Sequence, residues 1–108
     1  MTNSSPPALD WSGYRPGVIG QVTTLHAEYY ARHWGFDLSF ESQVAREFSD
    51  FLCVFDPSQD FFLAAWQGQR LAGAVALDGH STPEEGARLR WFIVDEAWQG
   101  RGLGRELV

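Results

Sequence analysis

Lysine is absent from this 108-residue chain, whose eight basic residues are all arginines. Without lysine the chain cannot form a Schiff base with a carbonyl substrate, and it cannot build a P-loop, whose lysine reaches the nucleotide phosphates. Cysteine occurs once, as Cys53, so the chain can form neither an internal disulfide nor a zinc site made of several cysteines. His26 and His80 show no metal-ligand spacing with other His or Cys residues. We therefore expect no metal site.

Long apolar runs and basic runs are also absent. No segment approaches the ~18 to 20 consecutive apolar residues that span a membrane. The N-terminal MTNSSPPALD has neither the basic flank nor the apolar run of a secretion signal. The formal net charge is −6, and an acidic chain without a basic patch is poorly suited to nucleic-acid phosphates. We therefore expect a cytoplasmic protein that binds neither membranes nor nucleic acid.

The composition suits one small globular domain, since 44% of the residues are apolar and 20% are charged. Residues 1–10 are polar and contain a proline pair, so we expect a flexible leader there and the folded domain over residues 11–108. Charge is unevenly spread, because four arginines outnumber three acidic residues from Arg88 to Val108. An anionic ligand is therefore expected to prefer the C-terminal end.

Two helices are predicted in the first half of the chain, after a short strand at 11–15. The first runs from about Pro16 to Trp34 and ends at Gly35, and the second runs from an N-cap at Ser39 to the stop at Asp56-Pro57. Each carries apolar residues at spacings of three and four, the period of a helix buried on one side. We interpret both stripes as core rather than as a ligand pocket. They comprise Val18, Val22, Leu25 and Tyr29, and Phe40, Val44, Phe48, Phe51 and Phe55.

The pattern changes to that of β-strands after residue 60. Short apolar segments at 61–66 and 70–77 flank the turn-like Gln67-Gly68-Gln69, which predicts a β-hairpin. A loop at 78–86 leads to a third strand at 88–94, whose bulky and β-branched residues suit burial. Two helices followed by a three-stranded meander predict an α+β domain.

The clearest functional signal follows the third strand, in the sequence QGRGLGRELV from Gln99 to Val108. Glycines let backbone N–H groups approach an anion closely, and the N-terminus of a following helix favours phosphate oxygens. The missing lysine excludes a P-loop, and Arg105 stands where the third glycine of the dinucleotide pattern G-x-G-x-x-G should be. The segment therefore predicts a different kind of phosphate-binding loop.

The pattern Gln99-x-x-Gly102-x-Gly104, after a strand ending at Val94, resembles the Q/R-x-x-G-x-G/A pyrophosphate loop of GNAT-type N-acetyltransferases. The order of two helices, a hairpin and the motif strand is similar to the first half of that fold. Residues 29–51 resemble the acetyltransferase halves of bacterial proteins that also carry a winged-helix regulatory domain. The resemblance implies the N-terminal portion of a GNAT-like fold: two helices, antiparallel strands, the motif loop and the start of the following helix.

The resemblance also implies acetyl transfer from acetyl-CoA to an amine, on a small molecule or a peptide. The strand backbone at Phe92, Ile93 and Val94 would bind the pantetheine arm, and an amide near Val94 would polarise the thioester carbonyl. The loop that follows would hold the pyrophosphate through backbone amides, with two arginines adding positive charge. The loop residues are Gln99, Gly100, Arg101, Gly102, Leu103, Gly104 and Arg105.

A general base must remove a proton from the acceptor amine. Glu84 and Glu85 are the first candidates because they precede the motif strand, although the in-strand carboxylate position of the family that the sequence resembles corresponds to Arg88 here. A solvated loop without catalytic function is the alternative interpretation of both residues.

The predicted acceptor cleft involves four side chains of the helices, although packing is the alternative interpretation of an aromatic helix face. The four are Tyr29, Tyr30, His33 and Glu41.

The sequence stops at Val108, whereas the family fold continues with a strand, a helix with a Tyr that often protonates the leaving thiolate, and a final hairpin. We therefore expect an incomplete acetyltransferase domain with negligible turnover by itself, and the alternative is a non-catalytic acyl-CoA-binding or assembly module. The strand from Leu89 to Val94 is apolar and lacks proline and lysine. A homodimer, or a complex with a complementary half-domain, is therefore expected to form across it.

Overall fold

A computed structural model describes residues 9–79 and 88–99. Four strands form one antiparallel sheet in the order β1-β2-β3-β4, and two helices precede β2. This is the α+β arrangement that the sequence predicted. Within these residues, none of the helices has both the length and the apolar character needed to cross a membrane. The elements are β1 (Asp10–Ser12), α1 (Val18–Trp34), α2 (Leu38–Cys53), β2 (Phe61–Gln67), β3 (Arg70–Asp78), β4 (Arg88–Val94) and the short 3-10 helix η1 (Glu96–Trp98).

The N-terminal elements differ from their predicted boundaries. β1 covers Asp10–Ser12 rather than 11–15 and pairs with β2, so the described sheet has four strands instead of the predicted three. α1 begins at Val18 because Gly17 adopts the left-handed conformation, with φ 95°, at the N-cap position. Pro16 therefore precedes the helix instead of occupying its first turn.

The N-cap of α2 is Asp37 and not Ser39, which corrects the sequence prediction. One carboxylate oxygen of Asp37 accepts the Ser39 hydroxyl at 2.8 Å and the Ser39 backbone N–H at 3.1 Å. These two hydrogen bonds hold the pKa of the Asp37 carboxyl below its usual value. Ser39 is thus a donor inside the first turn, while the residue before the helix provides the acceptor.

The main core lies between the two helices and one face of the sheet. Phe48 is fully buried at its centre and meets the rings of Phe62 and Trp91 edge to face, with centroid distances of 5.4 and 5.2 Å. This confirms that the aromatic stripe of α2 is packing. Other buried members are Val18, Val22, Val44, Phe51, Ala64, Trp66, Leu71, Ala74 and Ala76.

The opposite face of the sheet carries a smaller buried cluster. Trp98 of η1 is 7% exposed and packs there with Ala65, Ala72 and Val75. Val94 is partly buried beside them. The chain that leaves β4 is therefore anchored on the face remote from the helices.

Candidate cofactor and acceptor site

β4 lies at the edge of the described sheet, and its register shows which backbone groups point outward. Asp95 donates its N–H to the carbonyl of Ala72 at 2.8 Å, which makes them a hydrogen-bonded pair continuing the β3–β4 register. Bonded and non-bonded pairs alternate along an antiparallel ladder. The backbone groups of Ile93 therefore also point to β3, whereas those of Phe92 and Val94 point to the open edge. An extended ligand can pair with such an edge as an added strand does.

Asp95 shapes the β4 exit, by which we mean residues 95–99. Its Oδ1 accepts the backbone N–H of Ala97 at 2.9 Å, and its carbonyl accepts the N–H of Trp98 at 2.7 Å. Its Oδ2 accepts Nε and Nη2 of Arg70 at 3.3 and 3.0 Å. Asp95 is only 7% exposed. A buried carboxylate with hydrogen bonds to both oxygens therefore sets the direction in which the chain leaves the sheet.

Gln99, the first residue of the glycine motif, folds back onto the end of β4. Its side-chain Nε2 donates to the carbonyl of Val94 at 3.0 Å, and its backbone N–H bonds to Glu96 at 3.3 Å. The outward carbonyl of Val94 is thus engaged, while the Val94 N–H faces an edge that no described strand covers. Among the described residues, no strand faces the outward N–H and carbonyl of Phe92 or the outward N–H of Val94.

A cleft of ≈ 350 Å³ lies between α1 and the β4 exit. Its volume falls in the lower part of the range of small-molecule sites. Tyr29, half-buried on α1, is the one residue of the predicted acceptor set that lines it. The lining residues are Leu25, Glu28, Tyr29, Arg32, Arg70, Val94, Asp95, Glu96 and Ala97.

Most of the charge in this cleft is paired. Arg32 forms an ion pair with Glu96, which joins α1 to η1, and Arg70 pairs with Asp95. The Arg32–Glu96 ion pair therefore adds a side-chain restraint to the turn after β4. Glu28 is exposed and has no ion pair among the described residues. Within the described part of the chain, Glu28 is therefore the carboxylate of this cleft that has no ion pair.

The structure brings together three of the four predicted acceptor residues. The ring of Tyr29 lies 5.4 Å from that of Tyr30 and 4.4 Å from that of His33. Tyr30 continues the cluster toward Phe40, with a centroid distance of 4.9 Å. Glu41 is exposed in the first turn of α2 and does not line the cleft.

His26 is a buried titratable residue that does not line the cleft. Its Nδ1 donates to the carbonyl of Val22 at 2.9 Å, and its ring stacks with that of Tyr30 at 6.4 Å. Burial lowers the pKa of His26, and the hydrogen bond to Val22 only partly opposes this. The neutral side chain therefore belongs to the packing of α1.

Several predicted site residues lie outside the described part of the chain: Glu84, Glu85, Gly100, Arg101, Gly102, Leu103, Gly104 and Arg105. Within residues 9–79 and 88–99, no three His, Cys, Asp or Glu side chains are grouped to hold a metal ion.

Comparison with known proteins decides the family. The model of the acetyltransferase (GNAT) family matches residues 20–108. The chain belongs to the GNAT family. The match includes α1 from its third residue, α2, the strands from β2 onward and the glycine motif, and it confirms the resemblance seen in the sequence. No curated protein matches the chain.

Solved structures of GNAT proteins share this fold. A GNAT-family protein from Desulfovibrio desulfuricans superposes with a TM-score of 0.68 at 19% identity, and one from Staphylococcus aureus Mu50 with 0.69 at 14%. Each similarity covers 93% of this chain and 61% of the other. The PaiA N-acetyltransferase of Thermoplasma acidophilum, solved in complex with coenzyme A, gives 0.65 at 16% identity, over 93% and 67%. At these identities the similarity establishes the fold, and the chain spans about three fifths of the first two proteins.

Sequence reasoning missed Asp95, Arg70 and Glu28. Asp95 had a usable signal, since an Asp directly after an apolar strand is a typical N-cap for a following turn. Arg70 had none, because it lies 25 residues from its partner and reaches it only through the pairing of β3 with β4. Glu28 had no sequence signal either, because only the position of α1 beside the β4 exit brings this exposed helix residue to the cleft.

Proposed function

We propose that the chain provides the cofactor-binding part of a cytoplasmic, acetyl-CoA-dependent N-acetyltransferase. The observation that carries the proposal is the open edge of β4, where backbone groups of Phe92 and Val94 point outward immediately before the glycine motif. Family membership and the coenzyme A bound to the Thermoplasma protein support the same cofactor. A lone cysteine, Cys53, agrees with a reducing compartment.

The described residues fit an acyl-CoA, because an extended arm with amide groups needs outward N–H and carbonyl groups at strand spacing. When bound, acetyl-CoA would supply the acyl group as an activated thioester. Phe92 would bind the pantetheine arm through its backbone, and the Val94 N–H would stabilise charge on the thioester oxygen. Gly100 to Arg105 would hold the phosphates through backbone amides. Glu84 and Glu85 remain our candidates for accepting the proton that the acceptor amine loses.

Calorimetric titration with coenzyme A tests this proposal. Gly102→Val adds a branched side chain where the backbone must approach phosphate, so we expect it to weaken binding more than tenfold. Arg101→Ala is the matched control, because it removes only a screened charge that contributes ~0.3 to 1 kcal/mol. Equal losses in both variants would contradict a backbone cradle. Failure of the unaltered chain to bind coenzyme A would contradict the proposed function.

For the acceptor we propose a cationic amine that binds in the cleft beside Tyr29. Glu28 supplies a carboxylate that forms no ion pair with residues 9–79 or 88–99, and the ring of Tyr29 can attract an ammonium group. Tyr30 and His33 hold that ring from two sides. Val94 lines the same cleft, so an amine bound there would be near the amide proposed for the thioester.

Nuclear magnetic resonance titration with a short alkyl diamine, and with the diol of equal length, tests the acceptor proposal. We expect the diamine alone to shift the amide signals of Glu28 and Tyr29. Glu28→Gln should weaken the diamine about threefold, as expected for an exposed ion pair. Glu41→Gln is the matched control and should leave the affinity unchanged. A similar response to the diol, or an equal effect of both variants, would contradict the proposal.

The second candidate function is a non-catalytic acyl-CoA-binding or assembly module, which the open β4 edge also favours. Phe92 is 36% exposed and Leu89 55%, so the edge strand offers apolar surface to a second copy or a complementary half-domain. Coenzyme A binding without acetyl transfer to any amine would support this candidate. Light scattering over a concentration series, with and without Phe92→Lys, tests the assembly. Ile93 is unsuitable for that test because it is buried on the sheet.

A further inference from the structure

We infer that Asp95 is a positioning residue for the cofactor: it holds the outward N–H of Val94 and the start of the glycine motif in a fixed relative orientation. The inference rests on the proposed function, since its consequence is read as affinity for coenzyme A. Asp95 itself directs neither of its carboxylate oxygens to the open edge, because Ala97 and Arg70 occupy them.

The two carboxylate oxygens have separate tasks. Oδ1 caps η1 through the N–H of Ala97 at 2.9 Å, which determines the path toward Gln99. Oδ2 is held by Arg70 at 3.0 Å, and Arg70 is the first residue of β3. The cap is therefore tied to the neighbouring strand of the sheet and does not depend on the exit segment alone.

The two partners of this ion pair differ in how deeply they are buried. The side chain of Asp95 is 9% exposed, whereas that of Arg70 is 71% exposed. Removing the Asp95 carboxylate would leave the N–H of Ala97 without its acceptor, so the turn would keep only the backbone bond from Trp98 to the Asp95 carbonyl. Removing Arg70 would leave the cap in place and lose only the tie to β3. The two substitutions are thus expected to differ in size.

A rigid exit matters because the pantetheine arm and the phosphates belong to one molecule. Binding both at once requires the β4 edge and the glycine motif to keep a constant separation. If the exit is loose, it must be ordered at the moment of binding, and this lowers the affinity. A ligand that contacts the motif alone avoids most of that cost. A positioning role therefore predicts a larger loss for coenzyme A than for a nucleotide fragment that lacks the pantetheine arm.

The experiment measures dissociation constants of coenzyme A and of adenosine bisphosphate, the fragment without the arm, by calorimetry. Asp95→Ala removes both acceptor oxygens and should weaken coenzyme A about tenfold and the fragment no more than about threefold, the scale of one lost charged hydrogen bond. Arg70→Gln should weaken coenzyme A about threefold.

The matched control is Asp60→Ala, at the opposite end of the sheet. Asp60 is 5% exposed and accepts the backbone N–H groups of Asp56 and Gly79, each at 2.9 Å. It is thus a buried capping carboxylate of the same kind, but it is remote from the exit. Its substitution should lower the denaturation midpoint to a similar degree as Asp95→Ala and leave both dissociation constants unchanged.

The outcomes separate the two ideas. Equal loss of both ligands in Asp95→Ala, or equal effects of Asp95→Ala and Asp60→Ala on coenzyme A, would overturn the role of Asp95 while the proposed function stands. No binding by the unaltered chain would remove the proposed function and this role with it. If Asp95→Ala does not fold, Arg70→Gln decides: unchanged coenzyme A affinity together with unchanged amide shifts of Val94 and Trp98 would overturn the inference.

Discussion

An arginine–aspartate pair holds each end of β4, but the two pairs restrain different parts of the chain. At the start of the strand, Arg90 donates to Asp78 at 3.0 Å and to Glu47 at 3.1 Å, so these ion pairs involve only side chains and add to the backbone pairing of β4 with β3. At the exit, Asp95 pairs with Arg70 and also accepts a backbone N–H. The first pair therefore fastens a strand already placed by backbone pairing and packing, whereas the second determines the course of the backbone.

The two ends of β4 also differ in the hydrophobic cluster that each one contacts. Arg90 lies over the ring of Trp91, which contacts Phe48 in the main core. The exit rests on the smaller cluster beneath Trp98. Folding stability should therefore concentrate on the helix-covered side, and ligand geometry should concentrate at the exit. This division can be tested with substitutions, given below from the largest expected effect on stability to the smallest.

The largest effect is expected for Phe48→Ala. Phe48 is fully buried among aromatic rings, and such truncations cost ~3 to 5 kcal/mol of unfolding free energy. Phe61→Ala is the control, because Phe61 is 44% exposed and its truncation should cost under ~1 kcal/mol. Urea denaturation measures both. Similar costs for the two variants would show that stability is not concentrated in the main core.

A smaller effect is expected for Arg90→Gln, which removes both ion pairs at the start of β4. The side chain of Asp78 is 15% exposed, so its negative charge would lose the ion pair with Arg90 at a largely buried position. We expect a loss of ~1 to 2 kcal/mol in unfolding free energy, with unchanged affinity for coenzyme A. Thermal denaturation and calorimetry measure the two quantities. A loss of affinity at constant stability would remove the proposed division between the two ends.

The next prediction concerns pH and the helix-covered side. Because burial lowers the pKa of His26 from its usual 6.5, the folded state binds fewer protons than the unfolded state. The stability that neutral His26 provides is complete above pH 6.5 and is lost progressively as the pH falls toward its lowered value. Denaturation midpoints should therefore decrease through this interval, and His26→Gln should remove that part of the decrease. An identical pH profile in the variant would refute the assignment.

The smallest effect on stability is expected for Gln99→Ala at the exit. Its bond to the carbonyl of Val94 is exposed, so its loss should cost no more than ~0.5 to 1 kcal/mol. The carbonyl carbon signal of Val94 should nevertheless shift in the nuclear magnetic resonance spectrum, since its acceptor is released. A large loss of stability without that shift would show that Gln99 acts through packing instead.

Local periodicity allowed much of the fold to be predicted from the sequence. Helix stripes and strand alternation report which side of an element is buried, and this spacing is readable within one segment. The bounds of β2 and β4 follow the apolar runs, and the aromatic stripe of α2 is core as expected. Caps were harder, because Asp37 and Ser39 are both good N-cap residues and only the helix geometry selects between them.

Element types, the glycine motif and the family can be read from the sequence, because each depends on the order and spacing of neighbouring residues. Which side chains come together depends on the folded chain. Arg70 reaches Asp95 across 25 residues through the register of β3 and β4, and Tyr29 and Val94 line one cleft because α1 lies beside the β4 exit. Such contacts depend on strand pairing and helix packing between distant segments, and no local pattern encodes them.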